Sequence, residues 1–281
     1  MLKNAAIGVY SYLEFGASVL AFIPIMAVSH TRHRGDPTQR MPGRWMRRLG
    51  WFTSRISPVW DFSVEGEAPA DIQDKPYVVI ANHESTADPF LLSYLPWDMR
   101  WVAKRELFET PVIGLTFKFS GDIPLERGKG DSIRAMMAEC KKSIAAGISI
   151  MLFPEGTRSK EGELLPFRDG AFRLAIETQV PILPLALAGT KECRPKGSKW
   201  FGRAKARVKV LEPISTVGLT LDDVPMLREK ARDAIAAALP DLRAAIGVVR
   251  AAPSQTPSES KTVAHSQLAA EPSSGSAPAA L

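Results

Sequence analysis

The chain has 281 residues with a formal net charge of +6, and 45% of its residues are hydrophobic and 23% are charged. This length allows one large domain or two small ones, and the composition excludes a wholly disordered chain, a coiled coil and a polytopic transporter. The two cysteines are too few for a disulfide scaffold or a cysteine-built zinc site. The mild excess of positive charge indicates an anionic partner, either nucleic acid, a phosphorylated substrate or a membrane surface.

Residues 5–28 form an almost continuous apolar segment that only Glu14 interrupts with a charge. The segment reaches the ~20 residues needed to cross a bilayer, and Pro24 would kink a helix. Arginines interleaved with tryptophans follow up to Arg55, a pattern typical of the cytoplasmic headgroup region. We therefore predict a membrane-associated helical segment with a basic flank over residues 1–59, which either spans the bilayer or enters one leaflet. The alternative is a buried core helix followed by a solvated basic loop.

From about residue 62, short apolar runs alternate with amphipathic helical patterns. The predicted strands lie at 77–81, 100–104, 122–126, 149–153 and 182–188, with an edge strand at 206–213. The predicted helices lie at 131–146, 170–178, 222–238 and 240–247. In the first of these helices we expect Asp131 as the N-cap and Ile133 and Cys140 on the buried face. The alternation predicts an α/β domain over residues 60–248, with a mostly parallel central sheet flanked by helices.

Two other stretches have a distinctive composition. Residues 107–120 are mostly apolar, which fits a helix docked on a membrane, a wall of an acyl groove or an ordinary core helix. Residues 249–281 are rich in Ala, Pro and Ser and contain no aromatic side chain, so we predict a disordered tail. His265 lies in that tail and is therefore excluded as a catalytic candidate.

The first polar motif, NHESTAD at residues 82–88, directly follows the predicted strand 77–81. The C-terminal end of a buried strand is where α/β sheets usually place their sites. A neutral imidazole such as that of His83 can take a proton from an alcohol near pH 7, and a carboxylate such as Asp88 can orient it. A structural hydrogen bond between the two is the alternative. Metal ligation, with Glu84 as a third ligand, is disfavoured because no second histidine lies nearby.

The second polar motif, FPEGTRS at residues 153–159, follows the predicted strand 149–153. Gly156 permits a tight turn whose amides can face an anion, and Arg158 offers a planar fork for phosphate. Glu155 can accept hydrogen bonds from substrate hydroxyls or hold an arginine in place. The alternative is a solvated loop with a Glu–Arg pair. Neither a dinucleotide-binding nor a P-loop glycine motif is present in the sequence.

In their order and separation, these two motifs resemble those of the glycerolipid acyltransferase superfamily, and FPEGTRS resembles the 1-acyl-sn-glycerol-3-phosphate acyltransferases in particular. Two further blocks agree with this resemblance, IPLER at 123–127 and VPILP at 180–184. Glu126 stands where the family usually has an aspartate, which is a mild departure. The resemblance covers roughly residues 60–215.

The resemblance implies a role for each matching residue. His83 is expected to be the general base that deprotonates the acceptor hydroxyl, and Asp88 is expected to orient it. The site for the acceptor's phosphate and glycerol is expected to consist of Arg127, Glu155, Gly156, Thr157 and Arg158. The implied reaction is direct acyl transfer from acyl-CoA or acyl-carrier protein to the free hydroxyl of lysophosphatidate, and it needs no metal ion and no cofactor.

The resemblance also implies the partners and the location. We expect contact with a membrane phospholipid surface, a lysophospholipid acceptor and an active site on the cytoplasmic face. Nucleic acid is disfavoured because the arginines cluster beside the apolar segment rather than on an aromatic sheet. The alternatives are an acyltransferase for another lysolipid or for glycerol 3-phosphate, and a catalytically inactive membrane lipid-binding protein.

Overall fold

The centre of the structure is a seven-stranded sheet. The computed structural model describes residues 2–247 apart from 160–161, 195–196 and 199, so the tail predicted at 249–281 lies outside the described residues. In chain order the strands are β1 (Trp60–Glu65), β2 (Val78–Ala81), β3 (Met99–Lys104), β4 (Ile123–Leu125), β5 (Ser149–Leu152), β6 (Ile182–Ala188) and β7 (Ala204–Val210). Across the sheet they follow the order β1-β7-β6-β2-β5-β3-β4, and every neighbouring pair is parallel except β6 with β7.

Helices cover both faces of this sheet. In chain order they are α1 (Leu2–Arg32), α2 (Arg40–Ile56), α3 (Asp88–Leu92), α4 (Arg105–Glu109), α5 (Ile113–Ser120), α6 (Gly130–Ala145), α7 (Gly170–Thr178), α8 (Thr190–Cys193) and α9 (Val224–Ala245). One hydrophobic core lies between the sheet and α6, α7 and α9, and a second lies on the opposite face, where α3 packs. Helix α2 contacts α3, and α1 packs against α2 and α5.

The predicted α/β fold with a mostly parallel sheet is confirmed. Strands β2, β5 and β6 lie in the middle of the sheet and are almost entirely buried, which explains why their sequences are unbroken apolar runs. The predicted strand 182–188 and the predicted helix 170–178 coincide with β6 and α7. Local pattern therefore located the central elements of the domain well.

The edge position predicted for the strand at 206–213 is wrong. Strand β7 lies between β1 and β6, and the edge on this side of the sheet is β1, a strand that was not predicted. Within β7, Ala206, Val208 and Val210 are buried while the residues between them are more accessible. The alternation therefore reflects one covered face of the sheet and carries no information about the neighbours of the strand.

Two details of the predicted helices also need correction. Helix α6 begins at Gly130 after Lys129, so Asp131 lies in the first turn, where it pairs with Arg134 instead of capping the helix. Ile133 is 42% exposed, whereas Cys140 is fully buried as expected. The helices predicted at 222–238 and 240–247 form one helix, α9, which continues through Pro240. Leu239 and Leu242 are both buried in the same core, so packing carries the helix across the proline.

Helix α1 contains the predicted apolar segment and includes Pro24. By length and composition its part Ile7–Arg32 can cross a membrane, with a mean hydropathy of 1.6. Only 22% of its most apolar 18-residue window is buried. The alternative of a buried core helix is therefore disfavoured, because most of this surface faces away from the protein.

The arginine-rich stretch forms helix α2, so a solvated basic loop is excluded there. Three of its arginines converge on the carboxylate of Asp98, at N–O distances of 3.5 Å for Arg40, 2.8 Å for Arg44 and 2.6 Å for Arg47. Arg47 is buried and also donates to the carbonyl oxygen of Met99. These three arginines therefore attach α2 to the start of β3.

Candidate active site

The centre of the site is the pair formed by His83 and Asp88. Strand β2 ends at Ala81, and the following turn brings Asp88, the first residue of α3, back to the imidazole. The distance from His83 Nδ1 to Asp88 Oδ2 is 2.7 Å. Because an ionised carboxylate can only accept, Nδ1 carries the proton and Nε2 is left with a lone pair. The pair can therefore act as an oriented base.

Several donors fix the carboxylate of Asp88, which is completely buried. The backbone N–H groups of Glu84 and Ser85 donate to Oδ2 over 3.0 and 3.1 Å. The hydroxyl of Thr190, in α8, donates to Oδ1. Thr190 was not predicted as a site residue. The one signal for it in the sequence was its position just after a buried strand. These contacts prevent the carboxylate from turning away from His83.

The imidazole ring itself is held by stacking. The rings of His83 and Phe153 lie 4.1 Å apart between centroids, with 20° between their planes. The side chain of His83 remains 14% exposed, so one edge of the ring is open to a reactant. On the preceding residue, the Asn82 amide pairs with both backbone groups of Leu187 on β6, over 2.8 and 2.9 Å. Asn82 therefore ties the end of β2 to β6.

Glu155 lies beneath the histidine and is 3% exposed. One carboxylate oxygen accepts the backbone N–H of His83 over 2.8 Å, and the other accepts that of Leu165 over 3.3 Å. Burial raises the pKa of Glu155 to about 7. Its contacts join the loops after β2 and β5.

The remaining predicted residues come together at the C-terminal ends of β4 and β5. Arg127 follows β4, and Gly156, Thr157 and Arg158 form the turn after β5, in which Gly156 has a φ of 66°. Partial burial of the guanidinium lowers the pKa of Arg127, and the positive charges of Arg168 and Arg158 lower it further. The guanidinium groups of these three arginines therefore share one region of the surface.

Arg168 is a member of this cluster that was not predicted. Its backbone N–H donates to Pro154 over 2.9 Å. Its guanidinium lies against Gly156, because a Cβ atom added to that glycine would be 2.8 Å from Nε and 3.1 Å from Cζ of Arg168. The signal in the sequence was a second arginine between β5 and α7, beyond the motif that ends at Ser159.

Glu84 does not join His83 in a ligand set. Its carboxylate is 4% exposed, accepts the backbone N–H of Gly189 over 3.1 Å and lies 3.7 Å from the guanidinium of Arg243 in α9. Burial raises the pKa of Glu84 to about 8, with a further contribution from the negative charge of Asp88. Among the residues that the structure describes, no group of three or more His, Cys, Asp or Glu side chains is arranged to hold a metal ion.

Comparison with known proteins gives one consistent result. A family model described as Acyltransferase matches residues 62–188. The chain is 32% identical over 226 residues to human 1-acyl-sn-glycerol-3-phosphate acyltransferase beta, covering 79% of this chain and 78% of that protein. It is 38% identical over 160 residues to the human alpha protein, of which it spans 56%. The yeast 1-acyl-sn-glycerol-3-phosphate acyltransferase is 37% identical over 180 residues, 62% of this chain and 58% of that protein.

A solved structure shares the fold. It is the crystal structure of the 1-acyl-sn-glycerophosphate acyltransferase PlsC from Thermotoga maritima, which superposes with a TM-score of 0.71 at 23% identity. The match covers 86% of this chain and 98% of that one. The arrangement of sheet and helices described above is therefore an arrangement already known from experiment.

Proposed function

Because the chain belongs to the 1-acyl-sn-glycerol-3-phosphate acyltransferase family, we propose that it transfers an acyl chain to the free hydroxyl of lysophosphatidate, giving phosphatidate for phospholipid synthesis. The observation that carries this proposal is the His83–Asp88 pair, 2.7 Å apart, beside a cluster of arginines. The pair provides a base for a hydroxyl group, and the cluster provides a site for a phosphate. An inactive lipid-binding protein would need neither feature in this arrangement.

The proposed reaction is direct transfer. Nε2 of His83 takes the proton of the acceptor hydroxyl while the oxygen attacks the thioester carbonyl of acyl-CoA or acyl-carrier protein. Asp88 accepts from Nδ1–H and stabilises the imidazolium that forms. The tetrahedral intermediate then collapses, the carbon–sulfur bond breaks, and the imidazolium returns the proton to the thiolate. His83 thus ends the cycle in its starting protonation state.

The acceptor is proposed to bind by its phosphate. Arg127 and Arg158 stand at the ends of β4 and β5, and Arg158 presents a planar fork of N–H donors. Thr157 and the turn at Gly156 add a hydroxyl and backbone groups beside them. Glu155 supports the site from below through its bond to the backbone of His83. In this proposal the glycerol hydroxyl of the acceptor lies between the phosphate site and the base.

We propose that the substrates arrive from a phospholipid membrane. Large apolar side chains are exposed along α1, on α2 and around α4 and α5, namely Val9, Tyr10, Leu13, Leu20, Val28, Trp51, Phe52, Ile56, Leu107, Val112 and Leu115. An exposed apolar surface of this kind is typical of a membrane contact. Arg48 and Arg55 are exposed on α2 and can meet anionic headgroups. We propose that this surface faces the cytoplasmic leaflet.

The decisive test is substitution of the base. We expect His83→Ala to lower kcat by about 10²- to 10⁴-fold, because the acceptor hydroxyl loses its general base. His33→Ala is the matched control, since His33 lies just after α1 and its ring bonds the carbonyl oxygen of Ser29 at the end of that helix. Purified full-length chain in detergent is assayed with lysophosphatidate, glycerol 3-phosphate and another lysophospholipid, each with acyl-CoA and with acyl-carrier protein. Wild-type turnover in the His83 variant would overturn the mechanism, and a wild-type chain that binds lipid without acyl transfer would favour the inactive lipid-binding alternative.

A further inference from the structure

Two arginines at the candidate phosphate site are not bonded to any acidic side chain in the part of the chain that the structure describes. No hydrogen bond or ion pair with a described residue holds the guanidinium of Arg127 or that of Arg168, and both side chains are exposed. Other arginines of the chain are paired, as Arg44 and Arg47 are with Asp98. The acid that acts most on Arg127, Glu106, is itself bound to Lys104 over 2.8 Å. The guanidinium groups of Arg127 and Arg168 are therefore available to bond an anion.

A backbone hydrogen bond and a close contact with Gly156 hold Arg168 beside the turn that carries Arg158. Arg168 lies directly against Gly156, where any larger residue would displace its guanidinium. The same turn carries Arg158, and the backbone N–H of Arg168 is bonded to Pro154 just before it. Like charges at short range repel one another, so the arrangement becomes favourable when an anion neutralises it. The arrangement therefore favours binding of a highly charged anion at this site.

We propose that Arg168 binds the phosphate of the acceptor together with Arg127 and Arg158, and that it selects a phosphomonoester over a phosphodiester. The inference rests on the proposed function for the identity of the acceptor. A phosphomonoester carries up to two negative charges near neutral pH and has three terminal oxygens, whereas a phosphodiester carries one charge and has two. Three guanidinium groups match the first better than the second, because each can bond a separate oxygen.

The test compares two acceptors that differ only in one methyl group on the phosphate, lysophosphatidate and its methyl ester, lysophosphatidylmethanol. For Arg168→Gln we expect KM for lysophosphatidate to rise about 10- to 100-fold, since a bond to a charged group is lost. For the methyl ester we expect a change below about threefold. Arg168→Lys should restore part of the loss. Arg173→Gln is the control, because Arg173 is an exposed arginine five residues further on, outside the proposed site.

The possible results of this comparison decide whether Arg168 binds and selects the phosphate. Equal losses with both acceptors would overturn the selectivity and leave Arg168 a structural residue, and unchanged kinetics would overturn its role altogether. A rise of KM for acyl-CoA alone would assign the cluster to the phosphates of the donor instead. If the wild-type chain acylates neither acceptor, the proposed function fails, and binding of glycerol 3-phosphate by calorimetry then judges the arginine separately. In that assay Arg168→Gln must weaken binding at least about tenfold while Arg173→Gln does not.

Discussion

Three buried carboxyl groups, those of Glu84, Asp88 and Glu155, surround the backbone turn that carries His83. Asp88 faces the imidazole, whereas the other two accept backbone N–H groups that position the turn from either side. Burial raises the pKa of Glu84 to about 8 and that of Glu155 to about 7. The site therefore combines one carboxylate that bonds the imidazole of His83 with two that are buried at some electrostatic cost.

The raised pKa of Glu84 predicts a pH-dependent stability. Its carboxyl binds a proton more tightly in the folded chain than at its usual value of 4.5, so the folded state loses stability as pH rises from about 4.5 to about 8. Glu84→Gln removes this titration. We therefore expect the Tm of the variant, relative to wild type, to increase steadily between about pH 5 and pH 8. Thermal unfolding at several pH values measures it, with the exposed Glu229→Gln as control, and a constant difference in Tm would contradict the assignment.

Some of the individual residues of the site could be predicted from the sequence, and others could not. His83 and Asp88 could be paired because they lie five residues apart, within reach of a single turn. Thr190 could not be assigned to the same carboxylate, since 102 residues separate it from Asp88 and only the packing of β6 beside β2 joins them. Arg168 was likewise missed because its contact with Gly156 depends on how the connecting loop folds back.

The attachment of α2 to the domain depends on one acidic residue. The carboxylate of Asp98 is 9% exposed and meets three arginines of α2, of which Arg47 is equally buried. A second acid, Asp122, lies within electrostatic reach of Arg47 but bonds to Ser120 and to the backbone of Trp101. Removal of Asp98 would thus leave buried positive charge without its direct partner.

We expect Asp98→Asn to lower the free energy of unfolding by about 3 kcal/mol, the usual cost of breaking a buried pair from one side. Asp61→Asn is the matched control, because the carboxylate of Asp61 is 56% exposed and lies 3.4 Å from Arg207. For that pair we expect less than about 1 kcal/mol. Denaturant unfolding of the full chain in detergent measures both. Equal losses in the two variants would show that the cluster on α2 is not the stabilising attachment.

The bounds of single helices and strands were predicted better than the elements and residues that each of them contacts. The bounds of β6 and α7 follow from runs of apolar residues and a turn at each end, which are local features. The role of the arginines on α2 depends on an aspartate 51 residues from Arg47, so composition alone suggested lipid contact instead. The position of β1 at the sheet edge depends in the same way on β7, which lies far along the chain.

The molecule as a whole has an apolar side formed by α1, α2 and the turn between α4 and α5. That turn is a γ-turn, in which Val112 has a φ of 65° and a ψ of −62° and Ile113 N–H donates to Pro111 over 2.7 Å. A β-branched residue with positive φ costs about 1–3 kcal/mol. Val112 is 45% exposed, so its side chain is available to contact lipid on this side.

The orientation of this side toward the membrane can be measured with a fluorescent label at Val112. Both native cysteines are buried, and burial raises the pKa of Cys140 to about 12, so a cysteine introduced at the surface is labelled selectively. We expect an environment-sensitive dye on Val112→Cys to shift to the blue and brighten when anionic phospholipid vesicles are added. Val217→Cys is the control, at a valine that is 80% exposed and lies outside this apolar side. Equal responses of the two labels would contradict the orientation.

The position of β1 has a consequence for the synthesis of the chain. Its only partner in the sheet is β7, and roughly 140 residues lie between the two strands. At a rate of ~5–20 residues per second, β1 waits on the order of ten seconds for that partner after it leaves the ribosome. During this interval the apolar helix α1 has already emerged, while the sheet that will hold α2 is incomplete. Any contact that α1 makes with a lipid surface during this interval thus precedes completion of the sheet that positions His83.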